Sequence, residues 1–140
     1  MNSRVILNWL SGKKRKIEYY KQSKVIAEYN NIVAIYNEGV TELNDFIYYR
    51  NNQFMPFISD DKIKKMVDDP MNKLLNSQEL LNNLQLVNNK NASSVSAVKK
   101  VLLKTIKHAT EQREFVAKYL SKPKGTRKSM FSKTTRMAYR

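Results

Sequence analysis

Any chemistry in this chain would rest on His108, on the acidic pairs Asp60-Asp61 and Asp68-Asp69, or on tyrosines standing beside basic residues. His108 is the single histidine, and cysteine is absent. Disulfides, thiolate metal sites, multi-histidine metal sites and Cys–His nucleophile pairs are therefore excluded. A di-metal carboxylate bundle needs a Glu-x-x-His on each of two helices, which one histidine cannot supply. The glycines stand at 12, 39 and 125, so neither G-x-x-x-x-G-K-[ST] nor G-x-G-x-x-G occurs. The acidic pairs remain as candidates for hard-cation binding or carboxylate catalysis. Each falls where a helix is expected to start, and capping accounts for aspartate there. His108 lies between Lys107 and Ala109 at the border of a polar face and reads as solvent-exposed. The sequence thus predicts no catalytic residue, no metal site and no cofactor.

Tyr19, Tyr20, Tyr29, Tyr36, Tyr48 and Tyr49 crowd the first half of the chain. Aromatics next to cations stack on unpaired bases in many nucleic-acid-binding proteins. Tyr29 and Tyr36 fall in an apolar row and are expected in the core. Tyr19 and Tyr20 follow "KKRK" and are the better placed of the set for surface contact.

The formal net charge of +14 is distributed unevenly. Residues 1–24 hold seven basic side chains and one acid, Glu18, and residues 121–140 hold seven basic side chains and no acid. Everything between them carries 12 basic against 11 acidic residues. Such an arrangement costs stability through self-repulsion and suits a polyanionic partner.

The N-terminal arm, residues 1–16, sets Val5, Ile6, Trp9 and Leu10 against Lys13, Lys14, Arg15 and Lys16. Trp9 is its expected docking anchor, seated in a groove of this chain or of a neighbouring subunit. Its apolar face spans under two turns, which is weak for a membrane anchor. The C-terminal arm, residues 122–140, carries Lys122, Lys124, Arg127, Lys128, Lys133, Arg136 and Arg140. It has too few apolar residues to fold alone and is expected to be extended. Met130, Phe131, Met137 and Tyr139 alternate with its cations, with Phe131 and Tyr139 as expected anchors in partner pockets.

The elements carrying these arms are helical. Glycine and proline are scarce, three of each, which favours long helices over strands and turns. Between Lys16 and Phe54 an apolar row recurs every seven residues at Ile26, Val33, Val40, Ile47 and Phe54. Tyr29, Tyr36 and Leu43 form a second row, and Val25, Ile32 and Phe46 widen the stripe to the breadth of a globular bundle. Gly39 inside this stripe predicts close approach of another backbone. Pro56 ends the helix, and Ser59 followed by Asp60 and Asp61 starts a short one. Asp69-Pro70 reads as a second start, opening a helix to about Val87 with Met71, Leu74, Leu75, Leu81 and Leu84 inward. After the polar loop 88–94, Ser93 or Ser94 caps a last helix to about Leu120. Its stripe is Val95, Val98, Leu102, Ile106, Ala109, Val116 and Leu120.

The expected architecture is all-α: an elongated helical hairpin or small bundle, body 17–121, with two long helices, short helices at the turn and basic arms. No signal peptide or membrane-spanning segment is read. The chain is expected to be intracellular and soluble, or virion-associated. The function these features favour is non-enzymatic: a structural subunit of a virion, phage-connector or ribonucleoprotein-type assembly. Its arms would bind neighbouring protein subunits or, alternatively, DNA or RNA. A free-standing nucleic-acid-binding protein is the next reading, and a peripheral membrane protein anchored by residues 4–16 the last.

Overall fold

The computed structural model describes residues 9–84 and 92–131, with side chains from 23 and 93 onward in the two stretches. Among the described residues three α-helices occur: α1 (Trp9–Asn51), α2 (Asp60–Asn82) and α3 (Ala92–Ser121). Two 3-10 segments accompany them, Met55–Phe57 between α1 and α2, and Lys124–Phe131 after α3. No strand occurs among the described residues. The all-α small bundle anticipated from the sequence is what forms.

Each helix buries one seam in which three- and four-residue steps alternate. On α1 the seam is Tyr29, Ile32, Tyr36, Gly39, Leu43, Phe46 and Arg50. On α2 it is Ile63, Val67, Pro70, Leu74, Ser77 and Leu81. On α3 it runs Val95, Val98, Leu102, Thr105, Ala109, Gln112, Val116 and Tyr119. This spacing averages 3.5 residues and keeps one face turned toward its neighbours along the length of the seam. The row Ile26, Val33, Val40, Ile47 and Phe54 lies one position off the seam. It flanks the core, with Ile26 47% and Phe54 41% exposed at its two ends.

Contacts fix the topology. Gly39 of α1 meets Leu74 of α2, and Lys73 is ion-paired with Glu38 and Glu42. Arg113 of α3 pairs with Asp68 of α2. The Tyr36 hydroxyl is 3.0 Å from Thr105 Oγ1, and Arg50 Nη1 donates to Gln112 Oε1 at 2.7 Å. The helices run up, down and up, so α1 and α3 are parallel. Lys73 is held above its ordinary pKa chiefly by its hydrogen bond to Glu42.

The apolar interior divides into two clusters. One, toward the start of α1, contains Ile32, Leu43, Leu74, Leu81, Val95 and Leu102. The other, at the α1–α2 turn, gathers Phe46, Met55, Ile63, Val67, Val116, Tyr119 and Phe131 from every element. A fully buried side chain such as Phe46 contributes about 1.5–3 kcal/mol over its exposed state.

Local signals explain where the helices stop and start. Gln53 has φ 59, the left-handed conformation. Phe54 N donates to Tyr49 O at 2.9 Å and Gln53 N to Arg50 O at 3.1 Å. This is the Schellman pattern of helix termination, and the Phe54 ring resting 6.0 Å from the Tyr49 ring is its hydrophobic contact. Ser59 caps α2, its Oγ accepting from Lys62 N at 3.4 Å.

Two expectations about α2 are corrected. Asp69-Pro70 does not open a new helix, because α2 runs unbroken for 23 residues through Pro70. A proline there removes the hydrogen bond to the carbonyl four residues earlier, at a cost of about 3 kcal/mol. The continuous seam from Ile63 to Leu81, with the Pro70 ring itself buried, offsets that loss. Leu75, expected inward, is 42% exposed because its neighbour Leu74 occupies the seam. The end of the helix expected at Val87 and most of the 88–94 loop fall outside the described residues. The cap expected at Ser93 or Ser94 falls inside α3, which already includes Ala92.

Gly39 has a different neighbour from the one expected. A Cβ there would lie 3.2 Å from both Cγ and Cδ2 of Leu74, so a side chain, not a backbone, fills the notch. Overpacking costs roughly 1–3 kcal/mol, against a helix-propensity gain of about 1 kcal/mol for Gly→Ala. Gly39→Ala is therefore expected to lower stability by about 1 kcal/mol in urea unfolding, given those two magnitudes. In a Leu74→Ala background the obstruction is gone, and the same change is expected to raise stability. A Gly39→Ala substitution that destabilises both backgrounds equally would refute the notch.

Candidate polyanion-binding ends and the Arg127 latch

The two cationic stretches are positioned by different means. At one end, α1 passes the level of Val25–Asn30, where Leu84, Ser94 and Val95 line a shared depression. Its backbone then continues as helix to Trp9, sixteen further residues or about 24 Å at 1.5 Å each. Lys13, Lys14, Arg15 and Lys16 sit on that stretch, with no break between arm and body at residues 16–17. Trp9 is the first described residue of the helix. Residues 1–8 lie outside the described residues.

At the other end, the first part of the expected extended arm is folded. Lys124–Phe131 is a 3-10 segment packed against the bundle. Two residues hold it there. Phe131 is 3% exposed, with its ring 5.6 Å from Tyr119 and 5.9 Å from Phe115, both edge-on. The sequence assigns Phe131 to a partner's pocket, whereas the pocket it fills belongs to its own chain.

Arg127, expected as a contact for a partner, is 8% exposed and also turned inward. Its Nη1 donates to Asp60 Oδ1 at 2.8 Å and its Nη2 to Asp60 Oδ2 at 3.2 Å. Nε donates to the Lys122 carbonyl at 2.9 Å, and Nη2 also reaches the Leu120 carbonyl at 3.3 Å. The guanidinium lies 4.7 Å from the Tyr119 ring centroid. This fork ties the chain after α3 to the first residue of α2. The hydrogen bonds from Arg127 hold the Asp60 carboxyl below its ordinary pKa, and those same bonds raise the pKa of Arg127.

With Arg127 consumed internally, the remaining cations of the segment face water. Lys122, Lys124 and Lys128 are all exposed, and none forms an ion pair among the described residues. Lys133, Arg136, Tyr139 and Arg140 lie outside the described residues.

Two further features emerge only from the structure. Arg50 is half-buried on the α1–α3 side, with its guanidinium 3.5 Å from the Phe115 ring centroid. Burial pushes its pKa down, and Gln112, itself buried, receives its hydrogen bond. The heptad position of Arg50 on the Tyr36–Leu43 row is the signal for it in the sequence. The second is an aromatic turn at the same end, where Tyr48 and Phe57 are exposed beside Phe54. The run "FMPFI" marks it, though the sequence signals only a helix break.

Asp60 pairs with Arg127, and Asp68 with Arg113. Among the described residues, no three His, Cys, Asp or Glu side chains come together to hold a metal ion. His108 is exposed and 3.8 Å from Glu111. No described helix is long and apolar enough to cross a membrane. Comparison of the chain with family models, with curated proteins and with solved structures finds no match.

Two outcomes follow from the latch. Phe131→Ala is expected to cost about 3 kcal/mol in chemical denaturation. Stopping the chain after Phe131 preserves these contacts, whereas stopping after Ser121 removes them and lowers Tm. Equal Tm for the two truncations would exclude a docked segment. The second outcome concerns pH. A carboxyl whose folded pKa is depressed contributes stability above the ordinary aspartate value of about 3.9 and loses it as pH falls through the folded value. Asp60→Asn is expected to lower Tm at neutral pH, with the difference from wild type shrinking below about pH 4. A difference constant down to strongly acidic pH would remove the pair from the account.

Proposed function

We propose that the protein is a non-catalytic assembly component, a helical strut whose two cationic ends engage polyanionic surfaces of a larger complex. A virion-type or ribonucleoprotein-type particle is the setting that suits such a part. The observation that carries the reading is the placement of charge. The up–down–up topology sets the lysine cluster of α1 at one end of the bundle. It sets Lys122, Lys124 and Lys128 at the opposite end.

The middle is electrically mixed, and part of its charge is matched internally. Lys73 with Glu38 and Glu42, and Arg113 with Asp68, neutralise one another along the helix faces. The end formed after α3 offers exposed lysines instead. Exposed lysine suits contact with phosphates or carboxylates on a partner, since its single charge does not demand one geometry. A strut of this kind needs no cleft, and α1 alone, at 43 residues, spans about 64 Å.

A molecule with two separate cationic ends is expected to bridge polyanions as well as bind them. The full chain mixed with heparin should bind with a steep salt dependence and raise light scattering as chains are cross-linked. Neutralising one end, by Lys13→Gln, Lys14→Gln, Arg15→Gln and Lys16→Gln together, should leave binding but suppress the scattering. Neutralising the other, by Lys122→Gln, Lys124→Gln and Lys128→Gln, should do the same. Binding insensitive to salt, or undiminished bridging by single-ended variants, would defeat the strut reading.

A further inference from the structure

We infer that the turn end of the bundle is an interfacial contact for anionic lipid, with Tyr48, Phe54 and Phe57 entering the headgroup region and Lys124 and Lys128 drawn to the lipid charge. This rests on the proposed strut function and gives one of its cationic ends a partner class. The Met55–Phe57 turn sorts its side chains to two sides. Met55 points into the core and is buried, whereas Phe57, two residues on, is 87% exposed. Phe57 N donates to Phe54 O at 3.0 Å, and in a 3-10 turn side chains i and i+3 lie on the same edge. Phe54 and Phe57 therefore share the outer edge. Tyr48 extends it, itself exposed and with its ring 6.0 Å from that of Phe54.

The backbone holds this strip outward. Phe54 is fixed by the Schellman hydrogen bonds at the end of α1, and Ile58 N donates to Met55 O at 3.1 Å. Pro56 stiffens the middle of the turn. Leaving these rings exposed forgoes the favourable burial of their apolar faces, which a partner surface would recover. Three contiguous exposed aromatic side chains differ from apolar residues scattered singly, and mark an interaction surface. No described helix is long and apolar enough to cross a membrane, so the contact is confined to the interface. Tyr48 suits that depth, having an apolar ring and a polar hydroxyl.

Charge decides the occupant. Pro56 and Ile58, which flank Phe57, line a depression of about 300 Å³ with Lys124 and Lys128. The rings lie outside that depression, so rings and lysines share an end of the bundle without sharing a pocket. Asp60 is neutralised by Arg127. Asp61, also exposed, is followed on the first turns of α2 by Lys62, Lys64 and Lys65, all exposed. The end as a whole is cationic. A lipid surface is fluid and meets the whole end at once, so it accepts rings and cations at any lateral spacing. Each lysine near an anionic surface adds its own attraction. A single strand carries bases and phosphates along one track and needs rings and lysines along that track, which this end does not provide. A duplex offers phosphates alone and leaves the rings in water.

The test is flotation of the full chain with phosphatidylcholine vesicles, with and without phosphatidylserine, and with oligothymidylate binding measured in parallel. The wild-type chain should float with the phosphatidylserine vesicles. Phe57→Ala, at an exposed position, should keep the wild-type Tm and weaken that binding about 10-fold, the low end of what burying a phenyl ring supplies. Lys124→Gln with Lys128→Gln should weaken it roughly 30-fold at two lysines' worth of attraction. Trp9→Phe with Phe57→Trp leaves one tryptophan, at the turn, and its emission should shift to the blue on anionic vesicles. Lys13→Gln, Lys14→Gln, Arg15→Gln and Lys16→Gln together should still float, because they lie at the other end. No flotation of the wild-type chain, unchanged binding by Phe57→Ala, or an unshifted tryptophan overturns the lipid contact. Loss of flotation in the α1 variant, or a Phe57→Ala defect confined to oligothymidylate, overturns it as well. Heparin bridging without flotation leaves the strut and removes the lipid contact, whereas flotation without heparin bridging removes the strut function itself.

Discussion

The constraint from which the rest follows is the alternation of three- and four-residue steps along all three helices. A helix that buries every such position must lie beside its neighbours over the length of that seam, and cannot cross them and part company there. Two short connections then leave one arrangement: α1 up, α2 down, α3 up. The beginning of α1 and the end of α3 are thereby driven to opposite ends. The separation of the two cationic stretches is a consequence of core spacing. It would survive changes in the lysines themselves.

Within the C-terminal stretch, one cation behaves differently from the others, and its chemistry explains why. Arginine presents a planar fork with five donors, and Arg127 makes four hydrogen bonds with it, to both oxygens of Asp60 and to two carbonyls that end α3. A lysine could offer neither the bidentate geometry nor the stacking on Tyr119. The Leu120 and Lys122 carbonyls lie where a helix runs out of its own donors, so the latch also serves as the cap of α3. Phe131 closes the same junction from the apolar side. A segment that composition marks as a free arm is thus folded by one arginine and one phenylalanine.

How much of this is legible in the sequence varies by feature. Helix type in α1 and α3 is legible, because long apolar rows at helical spacing leave few alternatives. The seam itself is not. On α1 two adjacent rows, Ile26–Phe54 and Tyr29–Leu43, are both apolar, and only packing against α2 and α3 decides between them. Asp69-Pro70 carries a correct local signal that tertiary burial overrides. Arg127 and Phe131 read as outward because their neighbours are polar, and their partners Asp60 and Tyr119 are distant in sequence. The cationic ends are legible as composition, whereas the aromatic turn beside one of them needs the fold to assemble it.

The distance between the ends also decides how they behave together. Charges exposed to water are screened over about 8 Å at physiological ionic strength, and α1 at 43 residues is about 64 Å long. The two clusters therefore do not feel one another through space. Repulsion is confined within each cluster, where lysines sit a few residues apart, and under the strut proposal each would be relieved by its own partner. Occupying one end leaves the intrinsic affinity of the other unchanged. Any gain from engaging both arises because the first contact raises the effective concentration of the second, and only when the two target surfaces match the length of the rod. A stiff three-helix body meets that requirement better than a flexible linker would, since it neither collapses below that span nor stretches beyond it.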